Sequence, residues 1–168
     1  MTAPKKKAAK KSPAKKAAAK KAPAKKGSSA SGFTDAERGA IKERAAEVKA
    51  ARKGGDRAAE DAAAALAKIA EMPQPDRAVA ERVHAIITSA APELAPTTWY
   101  GMPAYAKGGK VVCFFQPAQK FRARYATLGF NDAANLDDGT MWPTAYAVTD
   151  LSDADATRIE DLVRRAAG

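Results

Sequence analysis

The pair Gly108-Gly109 constrains this chain more than any other feature. It separates two strand-like runs, Met102–Lys107 and Lys110–Gln116. A two-residue hairpin loop needs φ > 0 at one or both positions, which glycine adopts without steric cost. If Lys107 and Lys110 close the turn, the expected register sets Ala106 against Val111, Tyr105 against Val112, Ala104 against Cys113 and Pro103 against Phe114. Side chains alternate along a strand. One face is then expected to carry Ala104, Ala106, Val111, Cys113 and Phe115, small and apolar, suited to lie under helices. The other carries Tyr105, Lys107, Lys110, Val112 and Phe114. This hairpin is expected to form the centre of the folded part.

The flanking segments supply the rest of an α+β domain. Thr34 with Glu37 is a capping-box pattern, and it predicts a helix to about Lys53, ended by Gly54-Gly55. Ile41, Ala45 and Val48 give that helix only a narrow apolar stripe. A second helix is expected over about Arg57–Glu71, with Ala62, Leu66 and Ile69 on its apolar face. Met72-Pro73 stops it, and Pro75 suits the first position of a third helix to about Ala90. Val79, Val83, Ile86, Ile87 and Ala90 form its buried face. Pro92 and Pro96 close the helical half. Beyond the hairpin, Phe121–Leu128 and Met141–Thr149 alternate as strands, with a loop or short helix over Phe130–Asp138 between them. Ser152 with Asp155 starts a last helix to about Ala166, whose face is Ile159, Leu162, Val163 and Ala166. N-terminal helices, an antiparallel sheet with a central hairpin and a C-terminal helix argue for a sheet covered on one face.

Charge divides the chain. The net charge is +10, but residues 1–32 contain eleven lysines and no acid. That leaves residues 33–168 with 18 Lys+Arg against 19 Asp+Glu, close to neutral. Residues 1–32, built of Lys, Ala, Pro, Ser and Gly, have almost nothing to bury and are expected to be a disordered tail ending in the linker Gly27–Gly32. The domain is expected to span 33–168. The tail lysines Lys5, Lys6, Lys7, Lys10, Lys11, Lys15, Lys16, Lys20, Lys21, Lys25 and Lys26 suit sequence-independent contact with nucleic acid through counterion release. Their Pro-Ala-Lys-Lys repeats resemble, in composition, the tails of linker histones and of HU-like nucleoid proteins; a solubilising tail or contact with another polyanion fits the same composition. One cysteine, Cys113, permits no intrachain disulfide, and no secretory signal or membrane span is seen. A cytoplasmic protein is expected, with nucleoid association if the tail engages DNA.

Catalytic chemistry finds few residues. His84 is the only histidine and lies at the edge of the third helix's apolar face, where it reads as a structural boundary residue. Cys113 lies in an apolar strand and reads as packing. Asp137-Asp138-Gly139 reads as a turn, and Lys120, Arg122 and Arg124 as one solvated strand face. No Walker loop, nucleophile elbow or dinucleotide glycine pattern occurs. The aromatic residues are denser. Trp99, Tyr100, Met102, Pro103, Tyr105, Phe114 and Trp142 either line a concave ligand pocket or fill a core around the sheet.

Residues Leu66–Leu94 followed by Thr97–Phe130, above all the order YGMPAY, GGK and VVCFF, resemble the YdhG-like family of bacterial domains, over about Phe33 to the C-terminus. That family is grouped with the YjbR/CyaY-like proteins, which include frataxin-type iron chaperones. The resemblance implies a small α+β domain without known catalysis, with iron as cargo and iron–sulfur assembly proteins as partners. It brings no established functional residues. An acidic ridge of the frataxin kind has its nearest counterpart in Asp56, Glu60, Asp61 and Glu71, interrupted by Arg57 and Lys68. The expected function is a non-enzymatic domain that binds iron or a small ligand. Nucleoid association through the tail is the alternative, and an enzyme is the least supported reading.

Overall fold

The computed structural model describes residues 33–51 and 57–168. The tail with its eleven lysines, the linker Gly27–Gly32, the Gly54-Gly55 stop and Asp56 lie outside the described residues.

Among the described residues, four helices and five strands follow in the order α1 (Asp35–Ala51), α2 (Arg57–Ala70), α3 (Asp76–Ala90), β1 (Ala95–Trp99), β2 (Met102–Lys107), β3 (Lys110–Gln116), β4 (Ala126–Phe130), β5 (Ala145–Val148) and α4 (Asp153–Ala167). The strands form one antiparallel meander, β1-β2-β3-β4-β5. The expected α+β class holds. Both capping boxes form: Glu37 N–H donates to Thr34 Oγ1 at 3.2 Å while Thr34 N–H donates to Glu37, and Ser152 with Asp155 repeats the arrangement at α4.

The hairpin has the expected ends and loop, with Gly108 at φ 58° and Gly109 at φ 79°. Its register differs beyond the first two pairs. Lys107 pairs with Lys110 and Ala106 with Val111, but Tyr105 then pairs with Cys113 and Ala104 with Phe114. A bulge places Val112 as the extra residue of β3, so two residues face one on β2. One extra residue reverses every later side chain. Tyr105, expected on the mixed face, therefore joins Cys113 and Phe115, and Ala104 joins Phe114.

The inner face so built carries Tyr105, Cys113, Phe115, Leu128, Phe130 and Val148. Val79, Val83 and Ile87 of α3 and Ile159, Val163 and Ala166 of α4 close over it. Each fully buried side chain of this size contributes about 1.5–3 kcal/mol relative to exposure. Of the stripes expected for α3 and α4, Val79, Val83, Ile87, Ile159, Val163 and Ala166 bury, while Ile86, Ala90 and Leu162 are half-buried. In α2 the buried residues are Ala65 and Ile69, whereas Leu66, expected on that face, is 50% exposed. Small alanines let α2 run close along β1 and β2.

The sheet departs from the sequence reading in three further places. Strand β1 was hidden by Pro92 and Pro96; it is an edge strand, where a proline's missing N–H costs no ladder bond. The strand expected over Phe121–Leu128 starts only at Ala126. Residues 117–125 form turns, with Arg122 at φ 52°, so Lys120, Arg122 and Arg124 share no strand face. The buried Asp76 at the start of α3 anchors this segment by accepting from the Gln119 N–H at 2.8 Å. The strand expected over Met141–Thr149 is shortened to β5, and Trp142 precedes it. No helix among the described residues is long and apolar enough to cross a membrane.

Candidate functional site

The site is organised by the turn between β1 and β2. Trp99 and Met102 pair across it, and the two residues between them, Tyr100 and Gly101, both have positive φ, 53° and 67°. Positive φ at both central positions is the type I′ condition, which suits the twist of a hairpin. The turn leaves two successive backbone N–H groups directed outward. The Glu47 carboxylate of α1 takes both, from Tyr100 at 3.2 Å and Gly101 at 2.9 Å. One helical turn earlier, Glu43 bonds Lys68 Nζ at 3.0 Å and also Lys120 Nζ. Lys120 Nζ in turn donates to the Gly101 carbonyl at 3.1 Å. Partial burial opposes the ionisation of Glu43, but hydrogen bonds and charge from Lys120 and Lys68 outweigh it and hold its pKa below the usual value. Lys68 moves the opposite way, raised chiefly by its bond to Glu43.

An apolar depression of about 350 Å³ lies on one side of this turn. Trp99, Tyr100, Met102 and Phe114 line it together with Phe121, Phe33 just before α1 and Ile41 of α1. The Trp99 ring stands 4.9 Å from Phe114 and 4.9 Å, edge-on, from Tyr100. Phe114 lies over Gly129 of β4, where an added Cβ would sit 2.3 Å from the ring. A second cavity of about 410 Å³ lies on the other side of Gly101, lined by Glu43, Lys68, Met72, Pro73, Pro117 and Lys120 among others. Among the described residues, a larger groove of about 810 Å³ between α1, α2 and the Gly108-Gly109 loop is lined by no aromatic side chain.

The seven residues singled out from sequence therefore separate. Trp99, Tyr100, Met102 and Phe114 converge on one depression. Pro103 and Tyr105 do not; both are fully buried, because the bulge turns Tyr105 inward. Trp142 packs against the inner core and lines none of these cavities. Glu43, Glu47 and Phe121 were missed. The i,i+4 spacing of Glu43 and Glu47 places them on one face of α1, a signal indistinguishable from an ordinary solvated helix face.

The remaining reactive groups serve packing. Burial pushes the Cys113 thiol up to about 12. Burial also raises the Tyr105 phenol, whose hydroxyl lies 3.1 Å from His84 Nδ1. Burial lowers the His84 pKa and favours the neutral ring, whose tautomer sets which of the two groups donates. Asp61 bonds Arg57 at 3.3 Å and Glu71 bonds Lys68 at 3.0 Å. Among the described residues no three His, Cys, Asp or Glu side chains group to hold a metal ion.

No family model, no curated protein and no solved structure matches this chain.

Proposed function

We propose that residues 33–168 form a non-enzymatic binding domain for a small, flat, largely apolar ligand, taken up in the depression beneath α1. The observation that carries this reading is the convergence of Trp99 and Tyr100 at the β1–β2 turn with Phe114 of β3 on a concavity of about 350 Å³. That size lies within the range of small-molecule sites. Aromatic rings left half-exposed at a concave surface offer stacking that a buried core does not. The dispersal of the carboxylates favours such a ligand over iron, since ferrous iron needs several converging oxygen or nitrogen donors. A buried thiol and an engaged, neutral His84 favour binding over catalysis.

Titration of the full chain with indole, followed by NMR, tests the reading. Shifts should concentrate at Trp99, Tyr100, Met102 and Phe114, and Trp99→Ala should abolish them. Shifts scattered elsewhere, or micromolar binding of ferrous iron under anaerobic conditions in place of indole, would refute it.

The separation of charge supports a second activity, carried by the tail. Eleven lysines precede a nearly neutral domain, which suits tethering of that domain to DNA or another polyanion. If all eleven engage duplex phosphates, log K against log[salt] should fall with a slope of about −10. A slope near zero, or unchanged binding after deletion of residues 1–26, refutes it.

A further inference from the structure

We propose that the Tyr100–Gly101 turn and Lys120 form a binding site for the carboxylate or phosphate group of a small-molecule ligand, and that α1 is its built-in competitor. This deepens the ligand-binding reading and rests on it only for where the ligand's apolar body lies.

Successive backbone N–H groups in a turn of this kind form an anion-binding concavity. Here that concavity already holds an anion, the Glu47 carboxylate, on both N–H groups. Glu43 occupies Lys120 and Lys68 in the same way. The chain's own helix thus displays the chemistry that the turn accepts. Gly101 makes the close approach feasible: a Cβ there would sit 2.0 Å from Glu43 Oε2 and 2.5 Å from Lys120 Nζ, and its φ of +67° disfavours any other residue.

The hold on α1 is polar rather than apolar. Ala40 is its only buried residue among those described, while Ile41 and Val48 are 44% and 39% exposed. Elements with few buried apolar contacts open locally at low cost. Release of α1 removes Glu43, Arg44 and Glu47 from the cluster. Lys68, Lys120 and Glu71 then remain beside two unpaired N–H groups, a local charge of +1. The depression loses its α1 wall, Glu37, Ala40 and Ile41, but Trp99, Tyr100 and Phe114 remain as an open apolar face beside that spot. An aromatic acid or aryl phosphate would set its charged group on the turn and its ring against Trp99 and Phe114, in place of α1.

Binding to a state that is rarely open is weakened in proportion to the open fraction. Removing the competitor should therefore tighten binding. Calorimetry on the full chain, with phenylphosphate, benzoate, inorganic phosphate and indole as probes, compares the unmutated protein with Glu43→Ala/Glu47→Ala. Phenylphosphate should bind the double variant at least about tenfold more tightly, equivalent to ~1.4 kcal/mol. Adding Lys120→Met should reverse that gain. In the unmutated chain, saturating phenylphosphate should accelerate hydrogen exchange along α1. Equal affinity in the two proteins, or α1 exchange unchanged or slowed by bound phenylphosphate, overturns the proposal. If the double variant does not fold, the exchange measurement on the unmutated chain decides alone. Binding of indole without any anion refutes the anion site and leaves the apolar site standing. Equal binding of phenylphosphate and inorganic phosphate, without indole, supports the anion site and removes the apolar one. Binding of no probe to either protein refutes both.

Discussion

Replacing Gly129 by alanine should destabilise the protein by about 1–2 kcal/mol, even though alanine suits a strand interior better than glycine. Gly129 lies in β4 opposite Phe114, and the phenyl ring crosses directly above its Cα hydrogen. An alanine Cβ would meet Phe114 Cζ at 2.3 Å, Cε1 at 2.6 Å and Cε2 at 2.9 Å, distances that force the ring to move. The ring is half-exposed, so it can swing toward solvent. Doing so breaks its contact with Trp99 at 4.9 Å, worth about 0.5–1.5 kcal/mol beyond area burial, and re-exposes apolar surface. Against this stands the roughly 0.5–1 kcal/mol that alanine gains over glycine in a strand. The three atoms nearest that Cβ all belong to the Phe114 ring. In a Phe114→Ala background the same Gly129→Ala change should become stabilising by roughly 0.5–1 kcal/mol. The double-mutant cycle should thus give a coupling of about 2 kcal/mol. Urea denaturation of the four proteins, with equal m-values, measures it. If Gly129→Ala costs the same with and without Phe114, the ring does not lie over β4 and the wall of the depression is wrongly assigned.

Other consequences follow from single contacts. His84→Ala leaves the buried Tyr105 hydroxyl unpaired and should cost about 1–3 kcal/mol, most of it recovered by adding Tyr105→Phe; an unchanged denaturation midpoint would refute the contact. Because the folded-state pKa of His84 is lowered, the unfolded chain binds more protons below its ordinary pKa of about 6.5. Stability from this group is therefore complete above that pH and declines as pH falls below it toward the folded pKa, a slope that the His84→Gln variant should lack. Cys113 should resist thiol reagents at neutral pH and react only on unfolding; rapid native labelling would contradict its burial. Asp76→Ala should cost about 1.5–3 kcal/mol by freeing the Gln119 N–H, and hydrogen exchange over residues 117–125 should rise; unaltered exchange there would refute the anchor.

Much of the architecture was legible because it depends on short-range rules. Gly108-Gly109 sets a loop whose length and chirality are local properties, and both flanking strands end where expected. Thr34/Glu37 and Ser152/Asp155 start α1 and α4 through bonds that span three residues. The periodicity of Val79, Val83 and Ile87 marks the face of α3 that buries. The errors share a cause. Pro96 signals a break by itself, but on an edge strand its neighbour makes no demand on its missing N–H. Phe121 to Tyr125 alternate as a strand would, yet no partner strand reaches them, and Asp76, some forty residues away in the chain, holds that segment as a turn instead. Leu66 looks like a core residue of α2 until the approach of β1 selects the alanine side.

The candidate site divides along the same line. The amino-acid sequence by itself determined that a hairpin carries a dense aromatic group, that its loop is Gly108-Gly109, and that the basic charge belongs to residues 1–32 rather than to the domain. Only the tertiary structure decided which aromatics are surface and which are core. One extra residue at Val112 sent Tyr105 inward and left Phe114 beside Trp99, since a strand's two faces exchange with every single-residue shift. The convergence of Glu47 with the Tyr100–Gly101 amides and of Glu43 with Lys120 was likewise decided in space. Hydrogen bonds between residues more than fifty positions apart leave no periodicity or spacing in the chain that makes them.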